Sequence, residues 1–237
     1  HKLQGHFKED IIMENAVKNS YISNVGNGRV TFIGNNSTAA AMASVPQVYE
    51  REAEEYMELN DIAEKNLEEN GVVIMGSTFA KEMPVGELVQ SFELDCNVYN
   101  RSFTDLSIAD AEVLFAGCAQ TLEPAKIILQ LGETDLERGF KSVPELIKEY
   151  TALVKDIKKR NRFSDVVIVS VCENANDIQP AEFNAQLEKM ADELGCKYAD
   201  ITEAAKDNMP SVKAFSLLRR FMRNGISFCE AMTMVEY

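Results

Sequence analysis

The sequence predicts an α/β protein, a three-layer α/β/α sandwich built on a parallel five-stranded sheet. Three observations carry that expectation. Short runs rich in β-branched residues (72–75, 126–131 and 165–171) are too brief for helices and too uniformly apolar for strands with one wet face. Longer segments with apolar residues every three or four positions separate them. Glycine, proline and hydroxyl residues mark the junctions, so strand and helix alternate as in a parallel sheet.

Residues 1–45 read as an N-terminal arm or small hairpin, because Asn27-Gly28 favours a tight turn between 21–25 and 29–33. Residues 46–237 read as one domain. Its first helix, 47–70, places Tyr49, Ala53, Tyr56, Ala63 and Leu67 on one stripe, and its nine acidic and two basic residues suit a solvated face. Gly71 ends that helix and the central strand follows. Pro84 opens a helix near 84–93, and a second strand covers 96–99. A helix over 108–122, with Ala109, Val113, Ala116 and Gln120 along one side, leads to the third strand, which stops at Gly132.

Ser142-Val143-Pro144-Glu145 is a capping box with proline early in the helix. Leu146, Ile147, Tyr150, Leu153, Val154 and Ile157 then recur at core spacing, and Lys155, Lys158, Lys159 and Arg160 suit the negative end of the helix dipole. The fourth strand, 165–171, precedes a helix with Phe183, Leu187, Met190 and Leu194 inward and Gly195 at its stop. A fifth strand covers 197–200. Residues 201–221 read as mostly helical with an interruption at Pro210, and 229–237 as the start of another helix.

Composition excludes several classes. With 24 Lys plus Arg against 38 Asp plus Glu, the net charge of −14 argues against a nucleic-acid backbone or an anionic membrane as partner. No apolar run approaches the ~18 residues of a membrane-spanning helix. The five cysteines are scattered and lack CxxC spacing, which predicts buried thiols. No secretory pattern is evident, and a cytoplasmic location is expected. Histidine occurs only at His1 and His6.

A buried parallel strand breaking at Gly76 delivers Ser77 and Thr78 to the carboxyl edge of the sheet, where ligands sit in open α/β folds. Around them four blocks recur in order. They are residues 72–84 with Gly76-Ser77-Thr78, then Asn100-Arg101-Ser102-Phe103-Thr104-Asp105, Gly132-Glu133-Thr134-Asp135, and Asn224-Gly225-Ile226-Ser227. Over residues 46–237 the chain thereby resembles the SGNH (GDSL-type) hydrolases, nearest to small bacterial members similar to platelet-activating-factor acetylhydrolases. The resemblance implies a flavodoxin-like sheet of order 2-1-3-4-5 and an esterase or acylhydrolase ancestry.

The same resemblance implies that every catalytic position is substituted. Thr78 stands at the nucleophile, Asp105 at the oxyanion glycine, Thr134 at the oxyanion asparagine, Asn224 at the acid and Ser227 at the base. The methyl of Thr78 restricts its rotation and crowds attack. A carboxylate at 105 opposes the charge that acyl transfer develops. Neither Asn224 nor Ser227 supplies an acid–base pair. The expectation is a pseudoenzyme whose cleft holds a small ligand such as an ester or acylated sugar, with no cofactor. Three alternatives stay open. Ser77 is recruited as nucleophile, with or without His6, in a rewired esterase or acylhydrolase. Asp105, Glu133 and Asp135 gather with Ser77 around Mg²⁺ or Ca²⁺. Residues 1–70 serve self-association as a homo-oligomer or docking to a partner.

Overall fold

The computed structural model describes residues 21–22, 32–33, 45–63, 71–172 and 180–223. Two short strands, β1 (Tyr21–Ile22) and β2 (Phe32–Ile33), pair antiparallel with Tyr21 opposite Ile33. The turn at Asn27-Gly28 lies outside the described residues. The main sheet contains β3 (Val72–Gly76), β4 (Val98–Asn100), β5 (Lys126–Gln130), β6 (Asp165–Val169) and β7 (Lys197–Ala199). All its neighbours are parallel, in the order β4-β3-β5-β6-β7, which is the 2-1-3-4-5 arrangement.

β3 and β5 are buried along their whole length, which explains their continuous apolar runs. Alternation then sorts side chains to two cores. Val73, Met75, Ile127 and Leu129 join one core with α1 (Glu50–Ala63), α4 (Ile108–Cys118), α6 (Val143–Arg160) and α7 (Ala181–Glu193). Val72, Ile74 and Ile128 face the other, with α2 (Thr78–Lys81), α3 (Val85–Ser91) and α8 (Pro210–Met222). The remaining helix, α5 (Glu133–Arg138), opens directly after β5.

Several boundaries differ from the expectation. The second strand begins at Val98 and not at residue 96; the Cys96 thiol turns instead toward the Met222 carbonyl at 3.8 Å. The expected helix over 108–122 ends at Cys118, with Gln120 in a 3₁₀ turn beyond it; on α4 the stripe of Ala109, Val113 and Ala116 is the outer side, and Ile108, Ala111, Leu114, Phe115 and Cys118 are buried. Both sides of that helix are apolar, so periodicity alone does not choose between them. Pro210 starts α8 at its first turn, where its missing N–H costs nothing, and does not interrupt a helix. The capping box at Ser142 is formed, with Glu145 accepting from the Ser142 N–H at 2.8 Å. Lys158 serves a neighbour: its ammonium donates to the Leu194 and Gly195 carbonyls at the end of α7.

Candidate functional site

β3 ends at Gly76 because its backbone must approach both β5 and α2 closely. A Cβ there would stand 2.6 Å from the Gln130 carbonyl oxygen and 2.6 Å from the Ala80 Cβ. The chain then turns so sharply that Ser77 caps α2 and Thr78 is its first residue. The Ser77 hydroxyl does not cap the helix. It is fully buried and shares a 2.7 Å hydrogen bond with the Thr134 hydroxyl, itself buried at the start of α5. Gly132, which leads into α5, holds φ +109°, and a Cβ on it would meet the Phe183 ring at 2.4 Å. Only glycine fits.

From the other side comes the loop after β4. Asn100 orders it by accepting the Ser102 N–H at 3.1 Å and donating to the Ala80 carbonyl at 2.8 Å. At its far end Asp105 adopts φ +53°, the left-handed region that glycine enters more easily. The Asp105 N–H donates to Thr78 Oγ1 at 3.0 Å, and that hydroxyl donates to Asp105 Oδ1 at 3.2 Å. Thr78 is half-buried and Asp105 exposed, so the pair stands at the rim of the edge.

Ser77 and Thr134 are thus paired, and next to them Thr78 and Asp105. Asn224 and Ser227 lie outside the described residues. The Met222 and Arg223 carbonyls just before them accept from Lys126 Nζ at 2.8 and 2.6 Å. Lys126 is the first residue of β5, so α8 finishes at the amino edge, opposite Thr78. At the carboxyl edge, the segment after β7 is tied down through Asp200, whose carboxylate accepts the Thr202 N–H at 2.9 Å and the Ser170 hydroxyl at 3.3 Å. Burial raises the Asp200 carboxyl, but the Thr202 and Ser170 hydrogen bonds outweigh it and hold the group below its ordinary value.

The three carboxylates proposed to share a cation serve separate partners. Asp105 is on Thr78, Glu133 accepts the Phe79 N–H at 3.3 Å, and Asp135 accepts the Ile108 N–H at 3.0 Å. No group of three metal-ligating side chains occurs among the described residues.

Among the described residues, two further side chains at this edge, Cys172 and Lys81, offer neither a nucleophile nor a base. Burial pushes the Cys172 thiol up to about 12, and it donates to the Ile201 carbonyl at 3.2 Å. Lys81, one turn beyond Thr78, is half-buried. Burial alone would lower its ammonium, but contacts with Tyr56 and Glu52 outweigh that and raise it. An amine held protonated is no general base.

Sequence reasoning missed the polar group behind the loop. Asn60 is buried and accepts from Arg101 Nε at 2.9 Å, while the Arg101 guanidinium lies 5.1 Å from the centre of the Tyr56 ring. The signal was present, since Asn60 falls between Tyr56 and Ala63 on the apolar stripe of α1.

No known protein-family profile matches the sequence, and no curated protein is similar to it. Solved structures are. A Streptococcus pneumonia protein provisionally described as a platelet activating factor aligns over 80% of this chain and 100% of its own, with a TM-score of 0.63 at 14% identity. A GDSL-like lipase from Bacteroides thetaiotaomicron aligns over 70% and 96%, with a TM-score of 0.55 at 11% identity. The fold is that of the SGNH hydrolases. A psychrotrophic esterase from Pseudoalteromonas adds a third likeness, with 71% and 100% covered, a TM-score of 0.52 and 17% identity. At such identities the likeness carries the SGNH fold, and the roles of individual residues rest on geometry. Among the described residues no helix is long and apolar enough to cross a membrane.

Proposed function

We propose that this chain is a degenerate relative of the SGNH hydrolases, keeping the cleft for a small ligand such as an ester or acylated sugar and lacking the acyl-transfer chemistry. One observation carries the reading: the closed pair of Thr78 and Asp105. The only proton of the Thr78 hydroxyl is committed to the Asp105 carboxylate, and the Asp105 N–H that would face a developing oxyanion is committed to the Thr78 oxygen. Nucleophile and oxyanion donor thus consume each other. The carboxylate adds a negative charge where acyl transfer develops one. Histidine is absent from residues 7–237.

The same contact supports a second reading, a rewired esterase, because Asp105 Oδ1 is a carboxylate oxygen 3.2 Å from Thr78 Oγ1. A carboxylate is a far weaker base than imidazole, and this one also repels the reaction it would assist. Hydrolysis of p-nitrophenyl acetate separates the two. The purified protein is expected to match its Thr78→Ala and Asp105→Asn variants at the background rate. Turnover well above background, abolished in both variants, would replace the first reading with the second.

A further inference from the structure

Helix α1 lies along the loop after β4 in antiparallel register. The Tyr49 hydroxyl donates to the Asp105 carbonyl at 2.9 Å, and the Glu52 carboxylate accepts the Thr104 N–H at 3.4 Å. One turn on, the Tyr56 hydroxyl donates to the Ser102 carbonyl at 2.6 Å; a further turn on, Asn60 accepts from Arg101 at 2.9 Å. Positions 49, 52, 56 and 60 thus meet 105, 104, 102 and 101. Three and four residues are the spacings of one helical face, so a single side of α1 and of the 3₁₀ turn before it reads out the whole loop.

Two further contacts close the arrangement. Lys81, at the end of the helix that Thr78 begins, donates to the Tyr56 hydroxyl at 2.6 Å and pairs with Glu52 at 3.3 Å. Phe103, at the centre of the loop, is fully buried and receives the Tyr49 and Tyr56 rings edge-on at 5.7 and 5.2 Å. The left-handed φ of +53° at Asp105 is unfavourable for a residue with a Cβ, and such a backbone persists only where its surroundings impose it. Tyr49, the last residue of the 3₁₀ turn (Gln47–Tyr49) that leads into α1, supplies the hydroxyl on the Asp105 carbonyl, which Arg138 Nη2 also reaches at 3.4 Å.

We infer that α1 and the turn leading into it are part of the site: Tyr49, Glu52 and Tyr56 are positioning residues that hold the 101–105 loop so that Asp105 closes on Thr78. The inference does not depend on whether the cleft is catalytic. It makes α1, with the turn before it, the element through which the pair at the rim is set.

Amide hydrogen exchange, resolved by residue, tests it in the full chain. Replacing Tyr49 and Tyr56 by Phe keeps both rings packed on Phe103 and removes only the hydroxyls. The Thr104 and Asp105 amides are expected to exchange at least about tenfold faster, while those of β3 and β5 change less than about threefold. The Thr78 methyl resonance is expected to shift, because its hydroxyl partner is released. A control with comparable loss of stability, Leu187→Ala on α7, should leave that resonance in place. If the double variant does not fold, Tyr49→Phe alone is read in the same way. Unchanged exchange at Thr104 and Asp105, or acceleration only in step with β3 and β5, overturns the inference.

Discussion

Asp135 reaches across 27 positions to Ile108: its Oδ2 accepts the Ile108 backbone N–H at 3.0 Å, joining the start of α5 to the first turn of α4. The carboxylate is buried, and burial raises the Asp135 carboxyl above its ordinary value despite that hydrogen bond and the nearby Lys141 and Arg138. Its work is to tie α5 to α4.

The pH dependence of stability follows from that shift. A raised carboxyl favours the protonated form in the folded state, so its contribution is full below the unfolded value of about 3.9. The contribution is lost as pH rises through the higher folded value. Asp135→Asn cannot titrate there. Urea midpoints of the two proteins should therefore diverge as pH rises from about 4, the native chain losing ground to the variant, and run parallel once Asp135 is ionised. Parallel midpoints across the whole range would mean that burial does not govern this carboxyl.

Ser77 and Thr134 offer a thermodynamic cycle. Each hydroxyl is buried and has the other within 2.7 Å. Ser77→Ala strands the Thr134 hydroxyl, and Thr134→Val strands that of Ser77, each at about 1–3 kcal/mol. The double variant removes both hydroxyls of the pair and strands neither, so its loss should be clearly smaller than the sum of the singles. Additive losses in urea denaturation would show that the two hydroxyls do not depend on one another.

How legible this was in the sequence varies by feature and for physical reasons. Fully buried strands such as β3 and β5 announce themselves as apolar runs, and the Ser142 capping box is a local motif; neither needs tertiary information. β4 is a three-residue edge strand, and Cys96 looks like strand but faces α8. The buried side of α4 is set by what packs on it, because Val113 and Leu114 are equally apolar. The aligned blocks singled out Thr78, Asp105 and Thr134 as candidates. Their hydrogen bonds were not legible, since the φ of Asp105 and the reach of α1 and the turn before it depend on contacts more than 25 residues apart.

Reaction of the site hydroxyls with an organophosphonate ester, read as intact mass and located by peptide mass spectrometry, tests the degenerate reading most directly. Such probes phosphonylate only a hydroxyl activated for attack and supported by oxyanion donors. With Thr78 and Asp105 consuming each other and Ser77 buried against Thr134, the protein is predicted to remain unlabelled under conditions that fully modify an active serine esterase. A stoichiometric adduct on Thr78 or Ser77 would contradict the account.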